Sequence, residues 1–433
     1  MFDPKAEAMP LDERAVLQRD RLRRLVDRLI AADGVQGRRL KEAGVESGAG
    51  LELTDLGGLP FTTKRDLWDA YPFGMLAVPR EQIAAVHGSS GTRGRPTLVA
   101  YTRADLDLWA AMCARSLSCV GAGPGSVVHN AYGYGLFTGG IGIHQGAVAL
   151  GATVVPMSGG MTGRQVRMLA DLGADILTCT PAYALRLGEA AAEAGVALPA
   201  LRAGVLGAEP WTDELRAAIE RVLPIKAVDI YGLSEVIGPG VATECLEQDG
   251  LHVNEDHFVV EAVDPATGVP VADGVPGELV FTTPTKQALP LLRYRTGDIA
   301  SLDRAECPCG RTLVRMGKVL GRADDMLVIR GVNVYPSEVE RVLLGSGLIA
   351  PHYQLVVDRR RPAARLLAAC EAAPGGGAPA DLQERLARAL RESLGLAAEI
   401  RVLPDGTVPR AEVGKAVRVV SWESGEPPVP GLR

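Results

Sequence analysis

Apolar positions near the start of the chain recur at helical spacing. Leu17, Leu22, Leu25, Val26 and Leu29 fall on one face among basic residues, which predicts a helix over 11–32. Through the middle the rhythm changes. Short β-branched runs at 152–155, 175–179 and 203–206 alternate with helical patterns at 165–172, 182–194 and 212–222, the order of a mostly parallel α/β sheet. Beyond Gly250 strand-like runs crowd together (HFVVEAVD, GELVFTT, LLRYRTGDIASL), so a β-rich subdomain is expected. After about Asp324 a smaller α/β unit follows, opening with DDMLVIRGVNVYPSEVERVLL and carrying an amphipathic helix near 380–394. The fold class is therefore α/β: a large N-terminal α/β domain over 1–323, with mostly parallel sheets plus the β-rich subdomain, and a small mobile C-terminal α/β domain over 324–433.

One stretch breaks the pattern. From Ser116 through Gly163 there is no Asp, Glu, Lys or Arg. Its many glycines, with His129, Asn130 and His144, exclude a membrane span. It reads as buried strands and glycine turns lining a pocket where backbone approaches a ligand, or as plain core.

Composition narrows the setting. A length of 433 residues allows two or three domains, and an apolar share of 47% supports a sizeable core. The 46 basic against 52 acidic side chains leave a net charge of −6, which argues against a bulk nucleic-acid binder. No apolar run reaches the roughly 18 residues a membrane helix needs, and the charged N-terminus lacks the apolar region of a secretory signal. Seven cysteines, an odd number and scattered except for Cys307 and Cys309, read as reduced thiols. A soluble, cytoplasmic protein without nucleic-acid or membrane partners is expected.

Four segments carry chemistry. His87-Gly-Ser-Ser-Gly-Thr-Arg-Gly-Arg-Pro-Thr97 has the free N–H groups, hydroxyls and arginines of a phosphate cradle, although it is no Walker loop and a plain surface turn is the alternative. Asp229-Ile-Tyr-Gly-Leu-Ser-Glu235 delivers a ring to stack on a base and a carboxylate to hold Mg²⁺, or else is a structural tyrosine corner. Arg293-Tyr-Arg-Thr-Gly-Asp298, with Gly321-Arg-Ala-Asp-Asp325 downstream, offers a carboxylate for ribose hydroxyls and an arginine for phosphate. Pro409-Arg-Ala-Glu-Val-Gly-Lys415 ends on a lysine that alone would pass as a solvated charge.

Their order and spacing resemble the adenylate-forming superfamily of acyl-CoA synthetases, and within it the phenylacetate–CoA ligase family. The resemblance covers nearly the whole chain: LPFTTKRDLWDAYPFG, SSGTRGRPT, YGYGLFTGGIGIHQGA, GAEPW, IYGLSEVIGPGVATEC, LPLLRYRTGDI and GRADDMLVIRGVNVYPSEVE. It implies that Ser89, Ser90, Gly91, Thr92, Gly94 and Thr97 hold the ATP phosphates. Gly207, Ala208, Glu209 and Pro210, with Asp229, Ile230, Tyr231, Gly232 and Ser234, would form the rest of the nucleotide site. Glu235 would bind Mg²⁺, Asp298 the ribose hydroxyls, and Arg322 ribose or phosphate. Lys415 would bridge the substrate carboxylate and the α-phosphate. Asp324 falls at the family's hinge, and Gly331, Val332 and Asn333 would face CoA. An acyl pocket would draw on Tyr132, Tyr134, Phe137, Gly139 and Gly140, closed by Ala208 and Pro239, with Thr138, His144 and Gln145 as polar partners for a substituted ring.

Three departures stand out. The phosphate loop reads Thr-Arg-Gly-Arg where Thr-Thr-Gly-Lys is commoner, HQGAV replaces HYGAE after the first glycines, and RAEVGK stands for RSEGK, as if Val413 were inserted. Cys307-Pro-Cys309 together with Cys245 and His252 gives the four soft ligands of a closed structural Zn²⁺ site, which some relatives carry, against the alternative of buried thiols. The expected activity is ATP-dependent conversion of an aromatic acid, phenylacetate or a substituted benzoate, to an acyl-adenylate and then a CoA thioester. Delivery to a carrier protein or amine is the rival, and a homodimer is the default assembly. A noncatalytic nucleotide- or zinc-binding protein is disfavoured because Glu235, Asp298 and Lys415 are all present.

Overall fold

The computed structural model describes residues 1–89, 96–330, 332–360, 364–375, 377–411 and 414–432. The helix read from the first apolar periodicity is α1 (Leu11–Ala32), with Leu22, Leu25, Val26 and Leu29 buried on its inner face. Short helix α2 (Lys64–Asp69) opens on Thr63, whose backbone N–H and hydroxyl both meet the Asp66 carboxylate. A hairpin of Ala85–Gly88 and Leu98–Tyr101 follows, then α3 (Arg103–Ser118).

Nine strands form the largest sheet. Its parallel part is β1 (Val127–Asn130), β2 (Thr153–Pro156), β3 (Ile176–Cys179), β4 (Ala203–Gly207) and β5 (Lys226–Leu233), in the order β2-β1-β3-β4-β5. Helices α4 (Thr138–Ala149), α5 (Thr162–Asp171), α6 (Pro181–Glu193) and α7 (Asp213–Val222) occupy the crossovers. Beyond β5 the sheet turns antiparallel through β6 (Gly238–Glu244), β7 (Leu251–Val253), Arg315–Met316 and Leu302–Asp303. The β-rich subdomain is an antiparallel sheet of β8 (Val259–Val263), β9 (Gly277–Thr282), β10 (Tyr294–Ala300) and β11 (Gly321–Arg322).

The C-terminal part has its own sheet and core. Strands β12 (Ile349–Asp358), β13 (Arg365–Ala372), β14 (Ala398–Leu403) and β15 (Val419–Trp422) run in the order β14-β13-β12-β15. Helices α8 (Pro336–Gly345) and α9 (Pro379–Leu394) pack on it through Val339, Leu343, Leu386 and Leu390.

The charge-free stretch differs from its reading as strands and turns. Residues 138–149 form α4, and two of its glycines face helix α3 rather than a ligand. A Cβ at Gly142 would stand 2.5 Å from the Trp109 ring, and one at Gly146 would stand 2.4 Å from the Cys113 Cβ. These glycines let two helices approach closely, and α3 fills the space with fully buried Trp109, stacked on Tyr101 at 5.2 Å.

Candidate active site

A cavity of about 590 Å³ opens at the C-terminal ends of β4 and β5, where a parallel sheet leaves a crevice between diverging loops. Strand β4 ends at Gly207, and the next residue, Ala208, holds a φ of +74°. That left-handed turn is strained for a residue with a Cβ, and it swings Glu209 toward the C-terminal part. Strand β5 brings Tyr231 to the wall and then reverses into β6 through the turn Ser234–Ile237.

Glu235 stands on that turn, buried, in the cavity wall. Two groups below fix the turn's carbonyls. The Tyr101 hydroxyl lies 3.1 Å from the Ile237 oxygen, and the Lys286 ammonium donates to the Glu235 oxygen at 2.9 Å. Lys286 is fully buried, 5.0 Å from the Tyr101 ring, and burial lowers its pKa to about 8 despite Asp105 and Glu235 nearby. Above the carboxylate, Lys64 of α2 places its ammonium 3.5 Å from Glu235 Oε1.

A second carboxylate completes the far end. Tyr231 Oη donates to Asp298 Oδ2 at 2.7 Å, and Arg322 lies 3.2 Å from Asp298 Oδ1, carried there by the pairing of β10 with β11. Burial raises the Asp298 pKa, against the pull of Arg322. Arg322 also donates to Asp324 at 2.9 Å.

The third wall is uncharged. Tyr132 from the loop after β1, and Phe137, Thr138 and Gly139 from the start of α4, line the cavity together with Ala208 and Pro239. At the hydroxyl-rich end, Ser89 and Thr97 close the base of the Gly/Ser-rich loop through Ser89 N to Thr97 O at 3.0 Å. Trp68 Nε1 donates to Thr97 Oγ1, also at 3.0 Å. From the C-terminal part come Lys415 and Ala416. Crowding by protein lowers the Lys415 pKa, opposed by Glu209 and Asp298.

Of the residues expected here, the wall also takes in Pro210, Asp229, Ile230, Gly232 and Ser234. Gly207 is not on it: a Cβ there would fall 2.1 Å from the Ile230 oxygen, so this glycine serves strand packing. Tyr134 and Gly140 are not on it either. The Tyr134 hydroxyl turns away to Asn130 at 2.8 Å and His144 at 3.2 Å, and Gly140 is pressed against the carbonyls of Gly133 and Tyr132. His144 and Gln145 likewise lie off the wall, so the HQGAV departure does not touch the cavity. Val332 and Asn333 lie outside the cavity on a hairpin of Leu327–Ile329 and Val332–Val334. Ser90, Gly91, Thr92, Gly94 and Gly331 fall outside the described residues, as does Val413. Lys64, Trp68 and Trp211 also line the cavity and carried no sequence signal beyond lying in family segments.

Apart from the cavity, Cys245, His252, Cys307 and Cys309 bring four ligand atoms within 4.8 Å of one another. Burial, then Arg311 and Arg315, lower the His252 pKa to about 4, so its ring is neutral and able to ligate. Three thiols and an imidazole at this spacing match the donor set of a closed zinc site.

Two family models match the chain: the AMP-binding enzyme model over residues 24–287 and the AMP-binding enzyme C-terminal domain over 331–421. A phenylacetate–coenzyme A ligase of Thermus thermophilus is 48% identical over 440 residues, covering 97% of this chain and 99% of its own. The chain belongs to the phenylacetate–CoA ligase family. As a member it is an AMP-forming acid–thiol ligase. Among solved structures, 2-hydroxyisobutyryl-CoA ligase in its postadenylation state with 2-HIB-AMP superposes on this ligase with a TM-score of 0.89. That likeness has 28% identity and covers 96% of this chain and 91% of the other. The same relative with 2-HIB-AMP and CoA in the thioesterification state gives 0.72 at 29% identity, over the same shares of both chains. No helix of this ligase, among the described residues, is long and apolar enough to cross a membrane.

Proposed function

We propose that this ligase activates a flat aromatic acid with MgATP and passes the acyl group to CoA, with phenylacetate ahead of substituted benzoates. One observation carries the reading. A single cavity holds a cation from the C-terminal part, Lys415, two carboxylates, Glu235 and Asp298, and an uncharged aromatic wall of Tyr132, Phe137 and Gly139. The 48% identical ligase acts, by its name, on phenylacetate. Because His144 and Gln145 lie off the wall, the HQGAV change gives no reason to move from that substrate.

A carboxylate is a poor electrophile, since its oxide is a poor leaving group. Attack of one carboxylate oxygen on the α-phosphorus of ATP expels pyrophosphate and leaves a mixed anhydride with AMP. The CoA thiolate then attacks the acyl carbon, and AMP departs. Two anions must meet in the first step, so the Lys415 ammonium offsets repulsion that grows toward the transition state. Glu235 would hold the Mg²⁺ that screens the phosphates, on a turn fixed by Tyr101 and Lys286. Asp298, with Tyr231 and Arg322 beside it, would receive the ribose hydroxyls. The aromatic wall takes the ring and leaves its carboxylate toward Lys415.

The better superposition on a postadenylation state supports an arrangement set for the first step. The second step then requires the part beyond Ala323 to turn about Asp324, bringing Val332 and Asn333 to CoA. A structural Zn²⁺ on Cys245, His252, Cys307 and Cys309 would pin the antiparallel edge of the main sheet, and the seven cysteines, none of them in a disulfide, suit a reducing cytoplasm.

The test is kcat/KM for phenylacetate, benzoate, hydroxy- and aminobenzoates, acetate and a long-chain acid, scored by pyrophosphate release with and without CoA. Phenylacetate should lead, with thioester formed only when CoA is present. Leadership by acetate or the long-chain acid would sink the pocket assignment. Multiple turnover without CoA would point to another acceptor.

A further inference from the structure

Helix α6 begins in an unusual way. Thr180 is its N-cap, a position whose hydroxyl ordinarily accepts from the helix's own first N–H groups. Here that bond is missing, and Thr180 Oγ1 instead donates to the Gly414 carbonyl oxygen at 3.1 Å. The helix N–H left over, at Ala182, is taken by a carboxylate from another element: Glu209 Oε1 accepts it at 3.0 Å. The other oxygen, Glu209 Oε2, accepts the Ala416 N–H at 2.7 Å. Residues 414 and 416 flank Lys415, and both are tied to one helix end of the N-terminal part.

We propose that Thr180 and Glu209 form a clamp that positions the Lys415 arm for adenylation. Several features favour the clamp over a contact made in passing. Glu209 leaves a strand end through the strained Ala208, so its carboxylate has a fixed origin. It lies at the positive end of α6, where a carboxylate is stabilised. Its hydrogen bond goes to the backbone of residue 416, while its charge faces the Lys415 ammonium on the same cavity wall, so the arm is held and its cation kept at the cavity. The two bonds act on opposite polarities, a carbonyl before the lysine and an N–H after it, which sets both the place and the direction of the arm. When the C-terminal part turns, both bonds must break, and the helix end keeps Glu209 as its cap. Thr180 and Glu209 are thus positioning residues that act through Lys415.

The inference rests on Lys415 serving the first half-reaction, and the experiment separates the two ideas. Pyrophosphate release at saturating acid and MgATP is measured for Glu209→Gln, Thr180→Val, Lys415→Ala and the Glu209→Gln/Lys415→Ala pair, beside thioester formation from supplied acyl-adenylate and CoA. Glutamine can accept only one of the two N–H groups, and valine keeps the shape of threonine without the donor. Both single variants should slow adenylation about tenfold or more, the scale of a misplaced catalytic group, and Thr180→Val, at a residue off the cavity wall, should leave the thioester step within about twofold. On the Lys415→Ala background, Glu209→Gln should add nothing further, because a positioning residue has no work once its lysine is gone. An additive loss, an equal loss in both half-reactions, or no loss in either single variant overturns the clamp. Wild-type adenylation in Lys415→Ala would fell the lysine assignment and the clamp with it. Should Glu209→Gln not fold, Thr180→Val decides, since its hydroxyl caps nothing in its own helix.

Discussion

Lys286 keeps an ammonium out of water beneath the turn that carries Glu235. Its pKa near 8 in the fold lies below the ordinary lysine value of 10.5, with burial as the main cause. Between those values the unfolded chain binds a proton that the folded chain has released, so stability rises with pH across that window; the cost of burying the charge is complete below pH 8. In chemical denaturation, wild type should gain on Lys286→Met as pH rises from about 8 toward 10.5, with a slope of at most about 1.4 kcal/mol per pH unit, and level off above that window. A difference that stays flat with pH would mean the ammonium is hydrated. Gly139 gives a second residue-scale test. A Cβ there would stand 2.9 Å from the Phe137 ring, which lines the same cavity and must then shift. Gly139→Ala should raise the KM for the acid about tenfold or more, in line with overpacking costs of about 1–3 kcal/mol, while the KM for ATP holds. An equal rise in both would place Gly139 elsewhere. At this scale the sequence was legible in placement: Glu235, Asp298 and Lys415, far apart in the chain, do meet in one cavity. It was opaque where direction decides. Tyr134 and Tyr132 are two residues apart on one loop, yet one faces the cavity and the other His144. Nothing in the residues around Lys286 announced a buried ammonium.

Helices and strands were read best where one face is wet. Helix α1 and the alternating β1–β5 crossovers follow the apolar spacing closely, because a single buried stripe leaves a clear period. Helix α4 was missed because glycine and β-branched residues are poor helix formers in isolation. What makes this segment helical is tertiary: Gly142 and Gly146 admit α3, and burial outweighs propensity. Its first turn meets the cavity while its second and third meet α3. Changes of substrate preference can therefore be made at Thr138 and Gly139 without disturbing the packed turns behind them. The antiparallel edge offers the metal test. Purified protein should carry close to one Zn²⁺ per chain, and Cys307→Ser should lose it and melt earlier while still binding ATP. Metal-free protein of unchanged melting temperature would refute the cluster.

For the whole molecule, the change from parallel sheet to antiparallel sheet to small α/β unit was visible in texture alone, because each architecture imposes its own apolar rhythm. The arrangement of the two parts was not, since it depends on contacts between residues far apart in the chain. Asp324 tests the turning motion. Proline at that position restricts the backbone and also removes the Asp324 side chain from the cavity wall, a loss that an alanine variant shares. Relative to Asp324→Ala, which controls for the lost pairing with Arg322, Asp324→Pro should hold its adenylation rate and lose about tenfold or more in thioester formation. Equal effects on both steps would argue for a pivot elsewhere.

The seam between the two parts is rich in single polar bonds. Besides Glu209 and Thr180, the Thr212 N–H donates to Glu340 at 3.2 Å, and His352 lies 2.5 Å from Glu189. Each such bond contributes only about 0.5–1.5 kcal/mol net, because water takes its place when the parts separate. A seam of this kind has a weak preference of its own. If the small part turns between the half-reactions as proposed, whatever fills the crevice would act as the arbiter: triphosphate and acid would favour one face of it, and the departure of pyrophosphate would withdraw that vote.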